Sequence, residues 1–303
     1  MNILQAHHLT KKFANHVALN DVSIDIPSEK IIGLLGPNGA GKTTFIRIIT
    51  QIFFPDNGTV FFKNEKLNTN HISKIGYMPE ERGLYKKMRV GEQLIYLAQL
   101  KGLSYSIALE KVRYWLEKLN MTEWWNKKLE ELSKGMQQKV QFIATILHDP
   151  ELIILDEPFS GFDPINANLI KEEILQLKQK GKTIIFSTHR MESVEELCDY
   201  MVLINKSKKI LEGKVHEIKS SYTTNTYILE TEKSIDLSSE PFLQLISSQP
   251  LLTNRIETII QLTNTISTNE LIEKILNQTT LYRFEEKKSS IQDIFIRKVN
   301  EEK

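Results

Sequence analysis

The sequence predicts an α/β protein: a parallel-sheet core, a helical subdomain inserted into it, and a small C-terminal α+β domain. Three observations lead there. Residues 36–44 read Gly-Pro-Asn-Gly-Ala-Gly-Lys-Thr-Thr, between the apolar runs Ile31–Leu35 and Phe45–Ile49. That order is strand, tight loop, helix. A later apolar run, Leu152–Leu155, ends in the acidic pair Asp156-Glu157, as a fully buried parallel strand would. Between them, residues 88–150 read almost entirely as helix, with Ala108, Val112, Trp115, Leu116 and Leu119 on one apolar stripe.

The loop has the form of a phosphate-binding P-loop. Gly36, Gly39 and Gly41 allow tight backbone geometry. The main-chain N–H groups of the loop, through Asn38, Ala40 and Thr44, and the following helix N-terminus favour a bound phosphate. Lys42 reaches β- and γ-phosphates, and the Thr43 hydroxyl is a ligand for Mg²⁺. In doubly wound sheets, ligands gather at the carboxyl ends of the strands. Asp156 is therefore placed to hold Mg²⁺, and Glu157 to polarise an attacking water.

A third string, Leu132-Ser133-Lys134-Gly135-Met136-Gln137-Gln138, begins a helix with Ser133 as its cap. At this string the chain resembles the ATP-binding cassette (ABC) ATPases, whose signature reads Leu-Ser-Gly-Gly-Gln. Lys134 and Met136 depart from it, while Ser133 and Gly135, the family's phosphate contacts, remain. The resemblance extends to Ser160–Asp163 as the D-loop and to His189, after the apolar run Thr183–Thr188, as the switch histidine. Phe13 stands where the family places an aromatic against adenine. Glu80 stands where the family has the glutamine of the Q-loop, adding a negative charge near the metal and the water. The string Pro79-Glu80-Glu81-Arg82-Gly83-Leu84-Tyr85 is similar to that of bacterial ABC-2-type exporter ATPases, a subgroup that includes a sodium-efflux ATPase. The resemblance covers residues 1 to about 220, so the expected division is an ATP-binding domain at 1–220 and an accessory domain at 221–303.

The resemblance implies an ATPase subunit that binds ATP and Mg²⁺ and couples hydrolysis to export through a separate integral membrane permease. Two cassettes would pair head to tail, as a homodimer or with a related chain. Ser133 and Gly135 of one would close over ATP held by Lys42 of the other. Glu157 is the expected general base, and His189 the residue that orients γ-phosphate and water. Leu84, Tyr85 and Met88 are expected to contact the permease, at the cytoplasmic face of the cell membrane. The alternative is a non-transport ABC ATPase acting on a soluble macromolecular complex. A GTPase would need Asn-Lys-x-Asp, which Asn126–Leu129 and Asn205–Lys208 lack.

Composition agrees with this. Of 303 residues, 41% are hydrophobic and 25% charged, with a formal charge of +1. These are globular values without the basic footprint of a nucleic-acid binder. No apolar run is long enough to span a bilayer, and no export signal is visible. The single cysteine, Cys198, on a predicted helix Glu192–Asp199, is expected in the core.

After Ser220 a polar connector leads into a region without glycine. There the pattern predicts strands over Thr226–Glu232, Arg255–Leu262 and Leu281–Lys287. Helices are predicted over Pro241–Ser247, Asn269–Asn277 and Ile291–Val299.

Overall fold

The computed structural model describes residues 1–81, 83–222, 225–236, 243–263 and 267–301. The chain divides into two compact units, Met1–Val215 and His216–Lys303, a break slightly ahead of the connector expected at Ser220.

The first unit opens with two long strands, β1 (Asn2–Phe13) and β2 (His16–Pro27), followed by β3 (Ile31–Leu35), helix α1 (Lys42–Ile49), β4 (Asn57–Phe62), β5 (Glu65–Lys66) and β6 (Ile75–Met78). The helical insertion holds α2 (Val90–Leu100), α3 (Tyr105–Lys118) and α4 (Lys134–Ile146). Then come β7 (Leu152–Asp156), α5 (Pro164–Gln179), β8 (Thr183–Thr188), α6 (Met191–Leu197), β9 (Tyr200–Asn205) and β10 (Lys208–Lys214).

These strands form two sheets. One is antiparallel, in the order β2-β1-β4-β5; the other runs β10-β9-β3-β8-β7-β6. In the second sheet β9, β3, β8, β7 and β6 are mutually parallel and β10 is antiparallel to β9. Every residue of β3, β7 and β8 is buried, which is why they read as unbroken apolar runs rather than alternating ones. Helix α1 places Phe45, Ile46 and Ile49 into one core cluster with Ile32, Ile154 and Ile185 of the parallel sheet and Leu4, Ile24 and Phe62 of the antiparallel one. Each such buried side chain contributes about 1.5–3 kcal/mol. This packing fixes the start of α1 against the carboxyl ends of β3, β7 and β8.

In the insertion, the apolar stripe of α3 is buried, and Ser104 Oγ caps the helix by accepting from Ile107 N at 3.4 Å. The ring of Trp125 lies so close to Gly91 that a Cβ there would meet it at 2.6 Å. Asp163 caps α5, accepting from Asn166 N at 2.9 Å, with Pro164 in the first turn. Cys198 falls just past α6 rather than within it, and its thiol is buried, which pushes its pKa well up.

The second unit contains α7 (Val215–Ser221, which begins at the break), β11 (Thr226–Thr231), β12 (Leu243–Pro250), β13 (Ile256–Leu262), α8 (Thr268–Leu276), β14 (Leu281–Glu286) and α9 (Ile291–Glu301). Its sheet runs β12-β13-β11-β14 over a core of Leu229, Ile260, Leu262, Leu271 and Ile275. One expectation is corrected here. The helix predicted over Pro241–Ser247 is not formed: residues 241–242 lie outside the described residues, and Leu243–Pro250 is a strand. Leu243 and Leu245 stand opposite Leu262 and Ile260 across the ladder with β13. Of these only Leu243 packs on the core, while Leu245 is exposed, so backbone pairing with β13 rather than an apolar face makes this segment a strand, where a helical spacing was read.

Candidate functional site

Three adjacent strands end at one place. Leu35 is in register with Thr188, and Asp156 with Ser187, so the P-loop, the acidic pair and His189 emerge together. Two loop glycines are forced. Gly36 has φ 148°, and a Cβ on it would sit 2.1 Å from Ile204 O. Gly41 has φ 117°, and a Cβ there would sit 2.4 Å from Ala18 O. No other residue type fits either backbone.

A cavity of about 410 Å³ lies over this loop. Of the residues expected to act there, Phe13, Asn38, Gly39, Gly41, Lys42, Thr43, Thr44, Glu80, Asp156, Glu157 and His189 all line it. Gly36 and Ala40 sit behind the loop. Gly36 O accepts from Lys42 Nζ at 2.7 Å, and Ala40 N donates to Pro37 O at 3.2 Å. Lys42 is 8% exposed. Burial lowers its pKa, while Glu157, Asp156 and Glu80 oppose that shift. Phe13 is 39% exposed and packs edge-to-face on Phe53 at 5.3 Å, which leaves part of its ring toward the cavity.

The acidic pair is differentiated by its surroundings. Asp156 is 3% exposed, and Ser187 Oγ donates to its Oδ1. Desolvation raises its pKa, the Ser187 bond opposes the rise, and the Glu157 charge adds to it. Glu157 takes a left-handed backbone, φ 49°, a conformation costing an L-residue roughly 1–2 kcal/mol. That twist turns its side chain out of the strand toward His189. Glu157 Oε1 accepts from His189 N at 3.0 Å and lies 2.7 Å from His189 Nδ1. Among the described residues Oε2 accepts only from Thr188 Oγ1, at 3.4 Å.

Thr43, Glu80 and Asp156 also line an adjoining cavity of about 390 Å³, with Arg47 and Tyr77. An all-oxygen donor set of one hydroxyl and two carboxylates is the kind that Mg²⁺ accepts. The Tyr77 phenol is pushed up to about 12 by burial and by Asp156, against the Arg47 guanidinium that hydrogen-bonds it.

Ser133 and Gly135 do not join this group. They line a separate cavity of about 440 Å³ with Trp124, Lys134, Lys139 and Asp163. Ser133 Oγ caps α4, accepting from Met136 N at 3.3 Å.

A third feature is an apolar groove of about 370 Å³ beside the Glu80 loop, walled by Ile52, Ile72, Leu84, Leu97, Leu100 and Ala144. Leu84 is in it. Tyr85 is 56% exposed, its main chain held by buried Gln93, whose Oε1 accepts from Tyr85 N at 2.8 Å. Met88 is half-buried and does not line the groove.

Sequence reasoning missed several residues. His16 and Ala18 line the nucleotide cavity, and the pairing of His16 with Phe13 across the β1–β2 turn was the signal available. Arg47 lies one helical turn past Thr43. Gln138 ends the signature string and Gln141 follows it: Gln141 Nε2 donates to Pro79 O at 2.8 Å, and Gln138 Nε2 to Pro158 O at 3.5 Å. No local pattern marks either as a brace.

The fold and this convergence of loop lysine, hydroxyl, acidic pair and histidine define a P-loop nucleotide hydrolase cassette. The family model "ABC transporter" matches residues 19–160, and "ATP-binding protein DrrA1-3-like, C-terminal domain" matches residues 213–299. The chain is 42% identical over 301 residues to the ABC transporter ATP-binding protein YhaQ of Bacillus subtilis (strain 168), covering 98% of each. It is 35% identical to the ABC transporter ATP-binding protein NatA of the same organism, over 73% of this chain and 87% of that one. It is 33% identical to the Nod factor export ATP-binding protein I of Cupriavidus metallidurans, over 72% and 73%. Among solved structures, an ATP-binding subunit of an ABC transporter superposes with a TM-score of 0.68 at 28% identity, over 73% of this chain and 93% of that one. The chain belongs to the ATP-binding subunits of ABC transporters, and it is an ATPase.

Proposed function

We propose that this subunit powers export through a separate integral membrane permease, with which it sits at the cytoplasmic face of the cell membrane. The observation that carries the reading is the division of the catalytic parts. Lys42, Thr43, Glu80, Asp156, Glu157 and His189 share one cavity, whereas Ser133 and Gly135 line another. One chain thus holds two half-sites. Head-to-tail pairing of two cassettes, identical or related, completes both at once. Export rests on the resemblance of the Glu80 string to exporter ATPases, and it agrees with the relative named for Nod factor export. Among the described residues no helix is long and apolar enough to cross a membrane, so the spans fall to the partner.

Lys42 and the loop N–H groups hold the β- and γ-phosphates, and Phe13 stacks on the base. Thr43, Asp156 and Glu80 would hold Mg²⁺, which when bound neutralises phosphate charge. Water attacks the γ-phosphorus, a new O–P bond forms, and the bond to the β-phosphate oxygen breaks. Glu157 takes the proton that the water gives up. Its Oε2 is the atom for this, because Oε1 is engaged by His189. With Nδ1–H of His189 donating to Glu157, Nε2 remains for the γ-phosphate and donates to it when the ring carries its second proton. A Cβ on Gly135 would meet Gly161 O and the Phe162 ring at 3.5 Å, the nearest described atoms outside its own turn of helix, which leaves room for a phosphate of the nucleotide that the partner holds. The apolar groove beside the Glu80 loop receives the permease, next to Leu84 and Tyr85. The C-terminal domain, residues 221–303 on the sequence reading, supplies none of these residues.

The test is affinity purification from detergent-solubilised native membranes with ATP, Mg²⁺ and the Glu157→Gln variant. Recovery of a stoichiometric polytopic membrane protein is the expected result. Recovery of soluble partners alone would replace the transport reading with a non-transport one.

A further inference from the structure

One wall of the nucleotide cavity is a face of the β1–β2 hairpin. Phe13 and His16 are the last pair of its ladder, on either side of the turn at Ala14-Asn15, and Ala18 follows two residues along β2. All three line the cavity. Directly opposed residues hold their Cβ atoms about 4.5–5.5 Å apart, so the side chains of Phe13 and His16 leave the sheet as neighbours. Residues two apart on a strand share a face and lie about 6.6 Å apart, so Ala18 is the next member of the row after His16. There β2 meets the P-loop: a Cβ on Gly41 would sit 2.4 Å from Ala18 O.

The row therefore runs from the base to the phosphates. Phe13 stands at the base, and Gly41 caps the helix whose first residues, Lys42, Thr43 and Thr44, serve the phosphates. What joins a base to its phosphates is the sugar, and it must pass His16. The His16 side chain is exposed, and its ring has no hydrogen-bond partner among the described residues. Lys11, the cation beside Phe13, is already engaged: its ammonium lies 5.5 Å from the ring centroid and donates to Asp56 Oδ1 at 2.8 Å. Of the three hairpin residues on the cavity wall, His16 alone has a polar side chain. An imidazole offers an N–H with a lone pair, or two N–H groups, and a hydroxyl both donates and accepts. The two can therefore pair in either protonation state of the ring.

We infer that His16 hydrogen-bonds a ribose hydroxyl of the bound nucleotide, so that the cavity prefers ribonucleotides to deoxyribonucleotides. This rests on the placement of the base at Phe13 and the phosphates at the P-loop proposed above. The competing account is an imidazole that only packs beside Phe13 and leaves the sugar to water, and it predicts a different response to mutation.

The test is equilibrium titration of the full chain in Mg²⁺ with ADP, 2′-deoxy-ADP and 3′-deoxy-ADP, with the thermal midpoint as the check on folding. One hydrogen bond between uncharged groups changes affinity about two- to tenfold. The wild type is expected to bind ADP more tightly than one of the deoxy forms by that factor. His16→Phe keeps a ring beside Phe13 but no polar atom, and is expected to abolish the preference; His16→Gln, which restores a donor and an acceptor, should recover part of it. His16→Ala is read in the same way as His16→Phe if the larger ring lowers the midpoint. A wild type that binds the three ligands alike overturns the inference, and so does a His16→Phe chain that keeps the wild-type preference. An equal loss of affinity for all three ligands also overturns it, because His16 would then serve the base or the phosphates. Phe13→Ala separates this result from the placement beneath it. Unchanged ADP affinity in Phe13→Ala removes the base from Phe13, and the inference with it. Weakened ADP binding there, with the ribose preference intact in His16→Phe, removes the inference alone.

Discussion

Replacing Glu157 by Gln separates proton transfer from every other role of that side chain. The amide oxygen can take the place of Oε1 and accept from both His189 N and the ring, at present 3.0 and 2.7 Å away. The amide nitrogen then takes the place of Oε2, whose hydrogen-bond partner among the described residues is the Thr188 hydroxyl at 3.4 Å, a group that accepts as readily as it donates. Shape and local bonding are kept, and only the proton-accepting oxygen is lost. Loss of a general base costs about 10²–10⁴ in rate, which at about 1.36 kcal/mol per tenfold is roughly 2.7–5.5 kcal/mol of barrier. Single-turnover phosphate release measures the step, nucleotide titration measures binding, and light scattering in MgATP measures dimer. Expected are near-wild-type ATP affinity, slow release and an accumulated dimer. Phosphate release within about threefold of the wild-type rate would refute the assignment of the proton to Glu157, since the smallest effect that reasoning allows is about a hundredfold.

Three other perturbations test separate parts of the structure. Lys42→Ala removes the buried ammonium that the loop holds through Gly36 O and Pro37 O; nucleotide affinity should fall at least about tenfold, the effect of losing one charge-assisted bond, and an unchanged titration would count against its phosphate role. Gly36→Ala puts a Cβ 2.1 Å from Ile204 O at φ 148°; urea unfolding should show a loss of roughly 3 kcal/mol or more. His148 gives a pH signature. Its pKa is about 4 when folded, against 6.5 ordinarily, so protonation favours the unfolded chain. Its contribution is fully present above pH 6.5 and declines as pH falls toward 4, by as much as about 3 kcal/mol. The stability difference between wild type and His148→Phe should shift by that amount across the window; a constant difference would mean the ring is not held neutral.

Much of the site was legible because its chemistry lies in short contiguous strings. A P-loop must be glycine-rich where its backbone is left-handed against a carbonyl, as at Gly36 and Gly41. An acidic pair must close a strand buried on both faces, as Asp156-Glu157 closes β7. The unread parts are those that tertiary packing creates. Lys101 lines one groove with Gln141 and His148, but it follows α2 while they belong to α4 and the residues just past its end, and none belongs to a pattern. The bond from His189 to Glu157 joins two strand ends. The β12 error has the same root. Leu243-Gln244-Leu245-Ile246 holds apolar residues at both helical and strand spacing, and pairing with β13 decides between them.

The braces on α4 bear on how these parts act together. Its N-terminus carries Ser133 and Gly135. One turn on, Gln138 bonds Pro158 O, next to Glu157; Gln141 bonds Pro79 O, next to Glu80. Just past its end, His148 bonds Ile75 O at the groove floor. The 13 residues from Lys134 to Ile146 span only about 20 Å at 1.5 Å per residue, and a helix of that length moves as a unit. A shift of the Glu80 loop when the nucleotide changes therefore cannot stay local. It must either break the Gln141 bond inside a buried site, at a cost of about 1–3 kcal/mol, or carry α4 with it. The second course moves the signature residues and the groove floor together, so one short helix joins the nucleotide cavity to the face where we place the permease.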